Sequence, residues 1–212
     1  MTRRSAACAL ALVLAASVPV DGHQLDEYLQ ATRLSIARNR IVVDLTLTPG
    51  VSIAPRVFAA IDRDGDGRVS PPEIQDYARR VLEDLSLTLD GRRRPLALVR
   101  SESASWDEIQ QGAGTIRVLA EAEAPALAPG AHLVRYENAH ESASGVYLVN
   151  ALAPSDTTID IRSQRRDRMQ HFIELNVDMG GATHALSALA ALAILAGALA
   201  VRTGFRGFPR AA

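Results

Sequence analysis

Residues 62–73 read Asp-Arg-Asp-Gly-Asp-Gly-Arg-Val-Ser-Pro-Pro-Glu, and few twelve-residue stretches leave a chain so little freedom. Asp62, Asp64 and Asp66 stand at every second position of a tight loop, with Gly67 at its sharp turn. Glu73 closes the loop at the twelfth position, where a bidentate carboxylate completes a cage of oxygens. A hard cation such as Ca²⁺ takes about 6–8 oxygen ligands at about 2.3–2.6 Å, and this spacing supplies them. The Arg68 backbone carbonyl is the expected ligand at the seventh position, and Ser70 contributes at the ninth, directly or through a water.

Such a loop needs a helix on either side. Ser52-Ile-Ala-Pro55 starts the entering helix, with proline tolerated in the first turn. Phe58 and Ile61 then present apolar side chains just ahead of the loop. Ser70 and Glu73 form the S-x-x-E pattern that caps an exiting helix. Ile74, Tyr77, Ala78, Val81, Leu82 and Leu85 recur behind it at helical spacing. With Val69 at the apolar eighth position, residues 52–84 closely resemble an EF-hand. That resemblance implies Ca²⁺ as the ligand and Asp62, Asp64, Asp66, Arg68 (through its carbonyl), Ser70 and Glu73 as the metal residues. No second loop of this kind follows, since Asp156-Thr-Thr-Ile-Asp160 lacks the turn glycine and the closing acid. An unpaired EF-hand implies a partner strand for Val69, from another copy or protein or from the body of the chain.

Both ends of the chain are apolar. Arg3 and Arg4 precede an uncharged run from Ala6 to Val18, too short to span a bilayer, and Val20-Asp-Gly22 offers a cleavage site. Residues 1–22 therefore read as a signal peptide, with His23 the first residue of the mature chain. Cys8, the one cysteine, lies inside that segment, so the mature chain has no disulfide and no thiolate chemistry. Residues 182–201 carry no charge and have the length of about 20 residues that a transmembrane helix needs. Arg202, Arg206 and Arg210 follow, placing residues 202–212 as a short cytoplasmic tail by the positive-inside rule. Gly180-Gly181, the apolar run and the arginines also have the order of a sorting tail. On either reading, residues 23–180 form a periplasmic or otherwise extracytoplasmic domain held at the cytoplasmic membrane of a bacterial envelope.

That domain reads as mainly β with a helical insert. Leu25 to Ala37 and Ile41 to Thr48 are extended runs around a polar turn, the second alternating cleanly. Leu85–Leu89 alternates again, and Asp90-Gly91 signals a type I′ hairpin into a returning strand that ends near Val99. Further strands are expected at Thr115–Ala122, His132–Glu137, Val146–Leu152, Thr158–Arg162 and Phe172–Val177. Short antiparallel strands at this spacing fit a β-sandwich, with the immunoglobulin-like arrangement as one form, and place the EF-hand between the second and third strands. The formal net charge of −1 gives no basis for nucleic-acid binding.

A second resemblance rests on His23-Gln-Leu-Asp-Glu-Tyr28 after the secretion signal and on Val146-Tyr-Leu-Val-Asn-Ala-Leu152. Residues 23–178 resemble the outer-facing N-terminal domains of bacterial membrane proteins related to the hydrogenase and urease accessory nickel permeases. Those continue into several membrane helices whereas one is expected here, so transport is not implied. The resemblance does imply an accessory role in nickel, copper or cobalt handling as the alternative function. In that reading the free amine and imidazole of a mature N-terminal His23 chelate the metal, with His140 in the polar stretch Glu137–Glu141 as a further candidate. The bland reading of both is a residue left at a cleavage junction and a solvated loop histidine.

Catalytic patterns are missing from the sequence. Glycine-rich phosphate loops, H-E-x-x-H helices and G-x-S-x-G elbows are all absent. Trp106, the sole tryptophan, reads as a core or rim residue. The expectation is a non-enzymatic, single-pass membrane protein that binds calcium, with the ion in a structural role.

Overall fold

The computed structural model describes residues 26–125 and 127–180. The expected signal peptide, His23, the apolar span and the tail lie outside these residues. Among the described residues no helix is long and apolar enough to cross a membrane.

Strand periodicity sets the architecture. β1 (Tyr28–Ile36) and β2 (Arg40–Pro49) alternate buried and half-exposed positions along nearly their whole length. Such alternation makes one face of each strand core and the other surface. Two helices follow, α1 (Ala54–Ile61) and α2 (Pro71–Glu83). Next come β3 (Leu85–Leu89), a two-residue β4 (Arg92–Arg93), β5 (Ala97–Ser103) and a short helix α3 (Trp106–Gln110). The chain ends in five strands: β6 (Ile116–Glu123), β7 (Gly130–Asn138), β8 (Gly145–Ala151), β9 (Ile159–Arg166) and β10 (Phe172–Met179). They form two five-stranded sheets, ordered β5-β6-β2-β1-β8 and β4-β3-β7-β10-β9. The mainly β character is as expected, with the helical segment between the second and third strands.

One hydrophobic core joins the sheets. Leu34, Ile41, Val43, Leu45 and Leu47 come from the first sheet, and Leu87, Val134, Tyr136, Ile173, Leu175 and Val177 from the second, all with no exposed surface. The helices are part of the same core through Ala54, Val57, Ile61, Ile74, Tyr77, Ala78 and Val81. Burying a side chain of this size stabilises the fold by about 1.5–3 kcal/mol.

The structure corrects two expectations about strands and adds a helix. The strand after Asp90-Gly91 stops after Arg93, and β5 belongs to the other sheet, paired with β6. Pro95 between them has no N–H to give to a ladder, so pairing ends there and the chain crosses over. The turn itself has the expected type I′ signature, with φ of 52° at Asp90 and 75° at Gly91. Pairing is not all antiparallel, because β1 and β8 run parallel, Tyr28 opposite Gly145 and Leu34 opposite Ala151. β7 ends beside the start of β3 and hands the chain over that end of the body, so β8 starts where β1 starts. Finally, α3 was not expected. Its Ser105–Glu108 box is complete, with Glu108 N–H donating to Ser105 Oγ at 3.4 Å and Ser105 N–H to Glu108 Oε2 at 2.9 Å.

The two ends of the body differ in what they carry. The helices and the β7–β8 loop share the end where β1 begins. At the other end Arg38, in the β1–β2 turn, binds Asp156 at 3.1 Å, the Thr158 hydroxyl and the Gly180 carbonyl at 2.8 Å. The chain therefore leaves the described body at Gly180, a strand length away from the helices.

Candidate metal centre

The acidic loop is built by its own backbone. α1 ends at Ile61, and the Asp62 N–H still donates to the Phe58 carbonyl at 2.8 Å, so Asp62 closes the last helical turn. Its carboxylate then gathers the loop. Oδ1 accepts the N–H groups of Gly65 (2.9 Å) and Asp66 (3.1 Å), and Oδ2 accepts that of Gly67 (3.0 Å). Asp64 Oδ1 accepts from Asp66 N–H at 3.1 Å, and Asp66 Oδ1 from Arg68 N–H at 2.8 Å. Gly65 and Gly67 have φ of +72° and +79°, a region that costs residues with a Cβ more than glycine. Each turn toward the centre is thus matched by a glycine or by a side chain that accepts the freed N–H.

The result brings Asp62, Asp64 and Asp66 together, with one carboxylate oxygen of each within 4.8 Å of the others. Glu73 stands outside that trio, at the start of α2. Its Oε1 accepts the Arg63 N–H at 2.8 Å, and its Oε2 accepts the Ser70 N–H at 3.0 Å and hydroxyl at 2.8 Å. These bonds, Ser70's first and Arg63's after them, hold the Glu73 carboxyl ionised down to about pH 2. Glu73 therefore ties the exit of the loop to its entrance, with the Ser70 hydroxyl turned toward it. Arg80 adds a clamp between the helices, its Nη2 donating to the Ala60 carbonyl at 2.6 Å.

Every donor the loop can offer is an oxygen. That set suits a hard cation such as Ca²⁺ and offers nothing to ions that prefer nitrogen or sulfur. Val69 is not in a strand. It packs partly buried against the core and lines a cleft of about 490 Å³ between the loop and β5, with Ile74, Ser101, Ser103 and Trp106. Trp106 stacks on Phe58 at 4.0 Å between ring centroids, a rim position as expected.

His140 is not a solvated loop residue. It is buried, and both ring nitrogens are engaged: Nδ1 lies 2.7 Å from Asp84 Oδ2 and Nε2 3.3 Å from the Tyr77 hydroxyl. A ligand nitrogen must be free to face a metal, and neither of these is. The loop is pulled inward because β1 carries Gln30 and Thr32 on its core face, where each needs a partner. Gln30 donates to the His140 carbonyl at 2.7 Å and accepts from Asn138 at 2.9 Å, and Thr32 bonds the Tyr136 hydroxyl at 3.1 Å. The Tyr28 hydroxyl meets that of Tyr77 at 2.7 Å. This network was not anticipated, although two polar residues in step with Leu34 and Ile36 were a signal for it. His132 and His171 pair with Asp90 (2.8 Å) and Asp167 (2.6 Å), and neither joins a histidine cluster among the described residues.

Burial has a consequence for pH. It pushes all four tyrosines of the chain above their ordinary value of 10.0, Tyr77 to about 12. The neutral phenols stabilise the fold fully below pH 10, where unfolded tyrosine titrates, and this contribution is lost as pH rises through the folded values. Spectrophotometric titration is expected to show no phenol ionising near pH 10 before alkaline unfolding begins. A normal titration of Tyr28 or Tyr77 at pH 10 would contradict the buried network.

A scan against protein-family models finds no match, and a search of curated proteins finds no relative.

Proposed function

We propose that this chain is a calcium-binding protein of the bacterial envelope, with one EF-hand carried on a β-sandwich of the immunoglobulin-like kind. The observation that carries the reading is the convergence of the Asp62, Asp64 and Asp66 carboxylates within 4.8 Å, between two helices that are themselves part of the core. Calcium is held by those three side chains together with the Arg68 carbonyl, Ser70 and Glu73. The ion is structural: it neutralises four carboxylates gathered in twelve residues and fixes the angle between α1 and α2. Extracellular modules of this type bind at about 10⁻⁴–10⁻³ M, which suits a compartment open to outside calcium. Arg63 and Arg68 offset part of the loop charge and favour this modest range.

Residues 182–201 anchor the protein in the cytoplasmic membrane, after removal of residues 1–22. Arg38 ties Gly180 to the end of the body away from the acidic loop, so an anchored chain would hold its calcium loop away from the bilayer. No catalysis is assigned. The unpaired eighth position at Val69 faces the body's own β5 across the cleft, which favours a strand of the chain itself over a second copy.

Terbium, a hard cation that calcium-type oxygen sites accept, provides the test, because Trp106 lines the same cleft as Gly67–Ser70. Excitation of Trp106 is expected to sensitise terbium emission that excess calcium quenches by displacement. Emission indifferent to calcium would count against the site.

A further inference from the structure

Six residues between β7 and β8 are gripped by both helices that flank the acidic loop. α1 reaches them through Arg56, whose Nη1 donates to Glu141 Oε2 at 2.8 Å and Nη2 to Ser144 Oγ at 3.0 Å. α2 reaches them through Tyr77, 3.3 Å from His140 Nε2. Asp84, at the C-cap of α2, adds two contacts. Its carboxylate lies 2.7 Å from His140 Nδ1, and its carbonyl accepts the Ala139 N–H at 3.0 Å.

The same six residues set the start of the parallel β1–β8 ladder. The Ser144 carbonyl accepts the Tyr28 N–H at 2.8 Å, and the Glu141 carbonyl accepts the N–H groups of Ser144 (3.0 Å) and Gly145 (2.8 Å). Glu141 holds φ at +51°, a conformation that a non-glycine residue keeps only when its surroundings impose it. The His140 carbonyl accepts from both Gln30 and Tyr147.

β8 is also unlike the other sheet edges. β4 carries two arginines, β5 Arg100 and Glu102, and β9 Asp160, Arg162, Arg165 and Arg166, the usual charges that blunt an edge. β8 has no charged residue of its own: Arg166 of β9 reaches only its far half, at the Val149 carbonyl (2.7 Å) and Asn150 Oδ1 (3.0 Å), and its first half exposes Val146 and Leu148 beside Leu29 and Ala31.

We infer that residues 139–144 are a relay, through which occupancy of the acidic loop sets the order of the uncharged β8 edge. The inference rests on the calcium reading. The two grips come from different helices, so any change in the angle between α1 and α2 pulls on a short segment fixed at both ends. Well-packed segments of this kind shift between discrete arrangements and do not stretch. Calcium that fixes the helix pair therefore fixes the segment and the first residues of β8. Without the ion the same segment opens more often.

Hydrogen exchange of the full chain, with and without calcium, tests the relay when calorimetry is run on the same samples. Calcium is expected to slow exchange at 62–83 and at 139–148 together, by roughly fivefold or more at the second segment, the lower end for coupled sites. The β3–β4 turn, remote from both grips, serves as the unchanged reference. A double variant, Arg56→Ala with Tyr77→Phe, removes the whole α1 grip and the hydroxyl part of the α2 grip, which leaves the segment held by Asp84 alone and blind to the angle between the helices. Arg56 is half exposed and Phe keeps the buried ring, so the fold survives. It is expected to bind calcium with the same heat and protect 62–83, while 139–148 no longer responds. Calcium binding with protection confined to 62–83 in the wild type would overturn the relay and leave the calcium reading standing. So would a double variant that responds like the wild type at 139–148. Absence of calcium heat would overturn both.

Discussion

Asp62→Asn is expected to remove calcium binding altogether at millimolar ion. Asp62 does two things at once in this loop. One of its oxygens belongs to the trio within 4.8 Å, and its carboxylate accepts three backbone N–H groups, from Gly65, Asp66 and Gly67. An asparagine keeps the shape but turns one acceptor into a donor. Either the NH₂ faces Gly67 N–H, donor against donor, or it displaces the pair from Gly65 and Asp66. The loop then loses a unit of negative charge and part of the frame that holds the other two aspartates. Starting from about 10⁻⁴–10⁻³ M, even a tenfold loss carries the site beyond the working range of calorimetry. The body should be unaffected, because the hydrogen bonds lost are local to residues 62–67. Far-ultraviolet circular dichroism that is unchanged, with calcium heat that is absent, is the expected pair of results. Retained heat would place the ion elsewhere.

Leu45→Ala is expected to give the largest loss of stability, about 2–5 kcal/mol. Leu45 has no exposed surface and sits mid-strand in β2, the central strand of its sheet, opposite Thr32 of β1 and Val118 of β6. Strands on both sides fix the backbone there, so the cavity cannot collapse, and the cost is the lost transfer energy plus the unfilled space. For a body of this size each kcal/mol lowers the melting temperature by roughly 2–4 °C, so a fall of about 10 °C is expected. Leu133→Ala, on the outer face of β7 at 38% exposed, provides the contrast and should change stability by less than about 0.5 kcal/mol. A larger loss at Leu133 than at Leu45 would mean that the inward and outward faces have been exchanged. A one-residue register slip would do that.

The elements whose causes are local could be read from the sequence. β2 is an unbroken alternation, Asp90-Gly91 is a turn whose two residues tolerate positive φ, and α2 starts behind Ser70 with Glu73 three residues on. The spacing of Asp62, Asp64 and Asp66 likewise foretold which carboxylates meet, because a tight loop with two glycines has few ways to fold. Glu73, expected to close the cage, is held at the loop's exit by bonds from Ser70 and Arg63.

What escaped the sequence depends on distant partners. His140 lies among polar residues, and its burial follows from Gln30, Tyr77 and Asp84, which are 56 or more positions away. The parallel pairing of β8 follows from which end of the body the chain crosses, and no local pattern encodes that. The hand-off at Pro95 and the Ser105–Glu108 box left signals, but each spans too few residues to show periodicity.

Titration calorimetry of the wild-type chain with calcium, beside Glu73→Gln, tests the central claim most directly. The expected result is one calcium per chain at about 10⁻⁴–10⁻³ M, with heat that falls sharply in the variant. A wild-type chain that gives no calcium heat, or a Glu73→Gln chain that binds as well as the wild type, would contradict it.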